Sequence, residues 1–156
     1  MVIGLVKYAK AVMYSYPLLK SVEKDYDQYI RNKALLSYKC EAFTAAWAIA
    51  KRIEEKRSLV WLRERVDKLL KGLTPSERTL VEIRYFGRKD LENTQAGRQR
   101  SYFRMQNRLA KKIACILSGL GLTQEVFENS FAQLDIFQTI YRFAERKGAA
   151  FSVSPS

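Results

Sequence analysis

Histidine is absent from the chain, which removes the side chain most often used as a general base at neutral pH and the commonest metal ligand. Cysteine is nearly absent too. Cys40 and Cys115 lie far apart in sequence and supply neither a zinc cluster nor a disulfide framework. Both read as small buried apolar groups, and a reducing cytosol is the compartment that fits them. No glycine-rich phosphate loop occurs, since Gly119-Leu120-Gly121 lacks the strand, the lysine and the spacing of one. The longest apolar runs, Ile3 to Val6 and Ala45 to Ala50, fall far short of the roughly 20 residues that a bilayer span needs. The apolar start has no basic segment before it and no cleavage site after it, so it does not read as an export signal. These absences predict a soluble, cytoplasmic, non-catalytic protein with no membrane, metal or cofactor. Carboxylates cluster at Glu54-Glu55 and Asp25 to Asp27, on polar helix faces among lysines. Solvation is their expected role, and nothing else points to a two-carboxylate magnesium nuclease.

Three prolines and seven glycines in 156 residues leave long uninterrupted stretches, and none alternates as a strand would. The expectation is an all-α fold, a single compact multi-helix domain with a long central helix. A short aromatic segment covers Lys7 to Tyr16, and Pro17 begins or bends a helix running to about Tyr38. From Ala42 to Leu70 no breaker occurs, and Phe43, Trp47, Ala50, Ile53, Leu59, Leu62, Val66 and Leu69 recur at near-helical spacing. That predicts one amphipathic helix with Trp47 and Trp61 packed in or near the core. Thr74-Pro75-Ser76-Glu77 predicts a helix start with a capping box and proline at the first position, and Gly87 predicts its end. Helix formers resume at about Gln99, and one last amphipathic helix is expected over Thr123 to Arg146. The parts are then 1–70 for support or dimerisation, 71–120 for binding, 121–147 as a closing helix and 148–156 as a tail.

What the chain has in excess is positive charge, +12 overall, which makes a polyanion the expected partner. The charge is concentrated. Arg84 to Lys112 holds nine basic residues against Asp90 and Glu92, a net +7. On the helix that begins near Arg100, Tyr102, Met105, Leu109, Ile113 and Ile116 form an apolar stripe. Arg100, Arg104, Arg108 and Lys111, with Asn107 beside them, form the opposite one. A helix divided this way can rest on a core and present cations and amides to a major groove. Arginine suits that task because its guanidinium pairs with a guanine edge or a phosphate through two hydrogen bonds. Arg98, Arg100, Lys111 and Lys112 are the expected phosphate contacts; Arg104, Asn107 and Arg108 are the expected base contacts, with Ser101 at the same helix start.

Leu73-Thr74-Pro75-Ser76-Glu77-Arg78, followed by Leu80, Val81, Glu82, Arg84, Tyr85 and Phe86, resembles the opening helix of region four of bacterial sigma factors. Ser101 to Arg104 and Asn107 to Ile113 resemble the recognition helix of the same region. The resemblance covers about residues 73–117. Between the matched helices the family places a helix with an isoleucine-alanine pair and a leucine-glycine turn. Here Asp90 to Gly97 is shorter and carries only Leu91 as a large apolar side chain. The resemblance implies a helix-turn-helix-like, DNA-binding transcriptional regulator with double-stranded DNA and RNA polymerase as partners; a homodimer is a further expectation.

Two other readings stay open from the residues alone. The same faces suit a helical protein-interaction module, which would be favoured if other helices covered Arg104, Arg108 and Lys111. They also suit structured RNA, read through shape and 2′-hydroxyls. Tyr8, Tyr14, Tyr16, Tyr26, Tyr29 and Tyr38 raise single-strand stacking, but tyrosine on helices more often covers a core with its hydroxyl at the rim.

Overall fold

The computed structural model describes residues 2–36, 42–87, 99–140 and 142, with side chains described from Val6 onward in the first helix and from Ser101 onward in the fourth. Five helices, α1 (Val2–Leu35), α2 (Ala42–Gly72), α3 (Pro75–Tyr85), α4 (Gln99–Gly119) and α5 (Gln124–Ser130), are followed by a short one, α6, over 135–140. No strand occurs among the described residues. No helix among them is long and apolar enough to cross a membrane. Tyr38, Cys40, the segment 88–98 that includes Arg98, and the tail expected over 148–156 lie outside the described residues.

The first helix is longer than the sequence suggests, because it runs through Pro17. A proline inside a helix costs about 3 kcal/mol, since it removes one backbone donor and crowds the preceding turn. Here it leaves the Met13 carbonyl without its usual donor, and in the same turn the Ser15 hydroxyl donates to the Val12 carbonyl at 2.7 Å. Packing outweighs the cost. Val12 and Met13 before the proline and Leu19 after it are all fully buried, at about 1.5–3 kcal/mol for each such side chain.

Helix α2 runs antiparallel to α1, and a ladder of polar pairs fixes the register. The Tyr16 hydroxyl donates to Asp67, the Arg63 guanidinium to both oxygens of Glu23 at 2.7 and 3.2 Å, the Tyr26 hydroxyl to Glu55 at 2.7 Å, and Lys56 to Asp27. Two of the carboxylates expected to be solvated, Glu55 and Asp27, are therefore interhelix partners. Burial, reinforced by the neighbouring carboxylates, pushes the Tyr16 phenol up to about 12 and the Tyr26 phenol higher still.

Trp47 corrects the sequence reading. It is 60% exposed and Phe43 is 79% exposed, with the Lys51 ammonium 5.4 Å from the Trp47 ring centre. The fully buried cluster takes no described residue of α1 beyond Leu19 and none of α2 before Leu59, with Val22 and Tyr26 packed against its edge, so most of the first half of α2 lies outside it. Trp61 lies where expected, half-buried, stacked on Phe131 at 6.2 Å and with the Arg65 guanidinium over its ring, 4.8 Å from the centre.

The capping box forms as the sequence requires. The Glu77 amide donates to the Thr74 hydroxyl at 3.2 Å and the Thr74 amide donates to the Glu77 carboxylate at 3.0 Å. Gly87, at φ +73°, follows the end of α3. Helix α4 closes with the Leu122 amide on the Leu117 carbonyl at 2.8 Å and the Gly121 amide on the Ser118 carbonyl at 3.1 Å. That motif needs a left-handed residue, supplied by Gly121 at φ +96°.

The single closing helix expected over Thr123 to Arg146 is instead broken after Ser130. A continuous helix would turn Phe137 and Ile140 away from the stripe of Phe127 and Phe131. The break turns them inward, and Phe127, Phe131, Phe137 and Ile140 are all buried. Phe137 meets Phe127 edge-on at 5.0 Å, and the Gln138 side-chain amide donates to the Ala132 carbonyl at 2.7 Å across the break.

Candidate nucleic-acid interface

Helix α4 packs against α1 and α2, and side-chain contacts tie it to α3. Gln106, Leu109, Ala110, Ile113, Ala114 and Leu117 are buried, and Tyr102, Met105 and Ile116 are half-buried. Two contacts tie it to α3. The Gln106 amide donates to the Leu80 carbonyl at 2.9 Å and to the Tyr102 hydroxyl at 3.1 Å. One and a half turns on, Lys112 donates to the Glu77 carboxylate. On the α1 side the Tyr8 hydroxyl donates to the Leu122 carbonyl at 2.7 Å and lies 3.2 Å from the Ser118 hydroxyl, and burial raises its pKa.

The opposite face of α4 is open. Ser101, Arg104, Asn107, Arg108 and Lys111 are exposed, and no hydrogen bond or ion pair to another described residue engages the last four. Arg104, Arg108 and Lys111 follow one another at the spacing of a single helical stripe, with Asn107 alongside. Lys112 differs, because its ammonium is held by Glu77. Arg100 lies in the first turn of α4.

Further positive charge lies at the edge between α1 and α3. Tyr14 packs edge-on against Tyr85 at 4.8 Å, and the Arg84 guanidinium sits 5.6 Å from the Tyr85 ring centre. Lys10, one turn before Tyr14, has a lowered pKa because burial and then the charge of Arg84 disfavour its ammonium. Burial pushes the Tyr85 phenol up to about 12.

Three features of α4 were missed in the sequence. Gln106 is the pin between α3 and α4, and its place among Tyr102, Leu109 and Ile113 on the apolar side was the available signal. Cys115 is exposed and free rather than buried, because it continues the stripe of Arg104, Arg108 and Lys111. Phe103 is 55% exposed, beside Arg104 and one turn before Asn107. Of the described N-terminal tyrosines, Tyr8, Tyr16 and Tyr26 are tied into the packing, Tyr14 meets Tyr85, and Tyr29 lies under the Arg52 guanidinium at 5.2 Å.

No protein family, no curated protein and no solved structure matches the chain.

Proposed function

We propose that the protein is a non-catalytic, DNA-binding transcriptional regulator that lays α4 in the major groove of a duplex, in the manner of region four of sigma factors. The observation that carries this reading is the division of α4. One face is built into the core, and the other holds Arg104, Asn107, Arg108 and Lys111 exposed and unengaged by any described residue. A covered basic face would have favoured the protein-interaction module; the face is open. In this reading Arg104, Asn107 and Arg108 meet base edges, and Arg98, Arg100 and Lys111 meet phosphates on either side. The capping box that starts α3 and the Gln106 pin to Leu80 hold α4 at a fixed height on its support. RNA polymerase and a second copy are the protein partners this reading admits, and the exposed Phe43 and Trp47 on α2 offer them a contact surface.

The test is fluorescence anisotropy with labelled mixed-sequence duplex across a salt titration, with RNA and polyglutamate as competitors. The expected log-log slope is that of five or more phosphates, at about −0.9 per phosphate, with polyglutamate competing poorly. Arg104→Ala with Arg108→Ala should weaken binding and leave helicity unchanged. No duplex binding at low salt would overturn the reading in favour of the protein-interaction module, and preferential competition by RNA would redirect it to a structured RNA.

A further inference from the structure

Phe103 is out of place for a residue that serves only the fold. The other large apolar side chains exposed among the described residues lie on α1, on the first half of α2, or in the turn after α1; Phe103 alone stands on α4. It sits in the second turn of that helix, beside Arg104 and one turn before Asn107. The N-terminal residues of a groove-bound recognition helix are those that reach base edges.

The ring is also held in place. It meets Tyr102 edge-on, 5.6 Å between centres and 71° between planes. The Tyr102 hydroxyl in turn accepts from Gln106, and Gln106 donates to the Leu80 carbonyl. A buried polar side chain thus braces the tyrosine that braces the phenyl. An exposed ring supported from behind has little freedom to lose on binding.

A phenyl ring neither donates nor accepts a conventional hydrogen bond. Of the features that base pairs present in the major groove, the one such a side chain selects is the C5 methyl of thymine. We infer that Phe103 reads thymine, its ring covering a C5 methyl group while Arg104 and Asn107 engage the neighbouring base edges. The inference rests on the DNA-binding reading above and adds to it a specificity-determining residue with a stated base preference.

The experiment compares one duplex, recovered with the full chain from a randomised pool, in two chemical forms made with thymine or with uracil throughout. Wild type, Phe103→Ala and Phe103→Leu are titrated against both. Wild type should bind the thymine form about fourfold more tightly, the effect of burying one methyl group. Phe103→Ala should bind both forms equally, and Phe103→Leu, which keeps an apolar side chain, should retain part of the preference. Equal binding of the two forms by wild type, or an undiminished preference in Phe103→Ala with helicity intact, would overturn the role of Phe103. Binding that still falls in Arg104→Ala with Arg108→Ala would show that the DNA reading survives that failure. Absence of binding to either form at low salt would instead remove the DNA reading itself.

Discussion

Lys112 of α4 donates to both carboxylate oxygens of Glu77 in α3, at 2.9 and 2.7 Å. The same carboxylate closes the capping box on Thr74. One side chain therefore starts α3 and fastens α4 to it. Its pKa is lowered, first by the hydrogen bond from Lys112 and then by the backbone of Thr74. Because the folded value lies below the unfolded one, the contribution is fully present above about pH 4.5, the ordinary value. It is lost as the pH falls through the folded value. Glu77→Gln should flatten that acid limb in urea melts between pH 5 and 2. Because the pair is largely exposed, its loss at neutral pH should cost about 1 kcal/mol or less, and Thr74→Ala should cost about 1 kcal/mol through the cap alone.

Lys111 and Lys112 are neighbours in sequence with different duties. Lys111 is unengaged by any described residue, whereas Lys112 is held by Glu77. On the proposed interface, Lys111→Ala should reduce the salt slope of duplex binding by about 0.9, one phosphate contact. Lys112→Ala should change it by less than half of that. Equal effects in anisotropy titrations would mean that Lys112 leaves Glu77 when DNA binds.

Pro17 interrupts the hydrogen bonds of α1 in a stretch that packing already holds helical. Its side chain is exposed, so Pro17→Ala leaves no cavity. Restoring the donor to Met13 should raise stability by about 1–3 kcal/mol. The check is a higher urea midpoint at unchanged slope. A lower midpoint would mean that the bend is needed for packing.

The two tryptophans occupy unlike surroundings. With Trp61→Phe, the remaining Trp47 should emit at long wavelength and be quenched readily by iodide. With Trp47→Phe, the remaining Trp61, stacked on Phe131, should emit at shorter wavelength and resist quenching. Trp47→Ala should change stability by no more than about 0.5 kcal/mol, as a surface substitution does, unless a partner covers that face.

The parts of the fold governed by local chemistry were legible in the sequence. The cap at Thr74, the end at Gly87 and the two faces of α4 depend on residues within one or two turns of one another. Where tertiary contacts decide, the sequence misled. Pro17 reads as a boundary because the burial of Val12, Met13 and Leu19 on both sides of it is invisible locally. Trp47 has the spacing of a core residue, yet it is exposed on a part of α2 from which no residue before Leu59 joins the main buried cluster. The expected helix from Thr123 breaks, and the break brings Phe137 and Ile140 in beside Phe127 and Phe131, where they are buried. Phe103 escaped notice for a related reason. Its neighbours define a polar face, and an aromatic beside them stands out only when its exposure is known.

The polar ladder between α1 and α2 has a consequence for how the molecule opens. Around Leu59 to Leu69 the two helices are clamped by fully buried side chains, but toward residues 26–35 and 42–56 full burial is reduced to Ala45 among the described residues, beside the part-buried pair of Tyr26 with Glu55 and the exposed pair of Lys56 with Asp27. Surface pairs contribute less than buried apolar contacts, so this end of the hairpin can part without disturbing the rest. Amide hydrogens there should exchange with solvent through small openings, while those of α4 and the second half of α2 exchange only when the whole chain unfolds. The protein then combines a slowly exchanging body that carries the basic helix with an extremity that breathes.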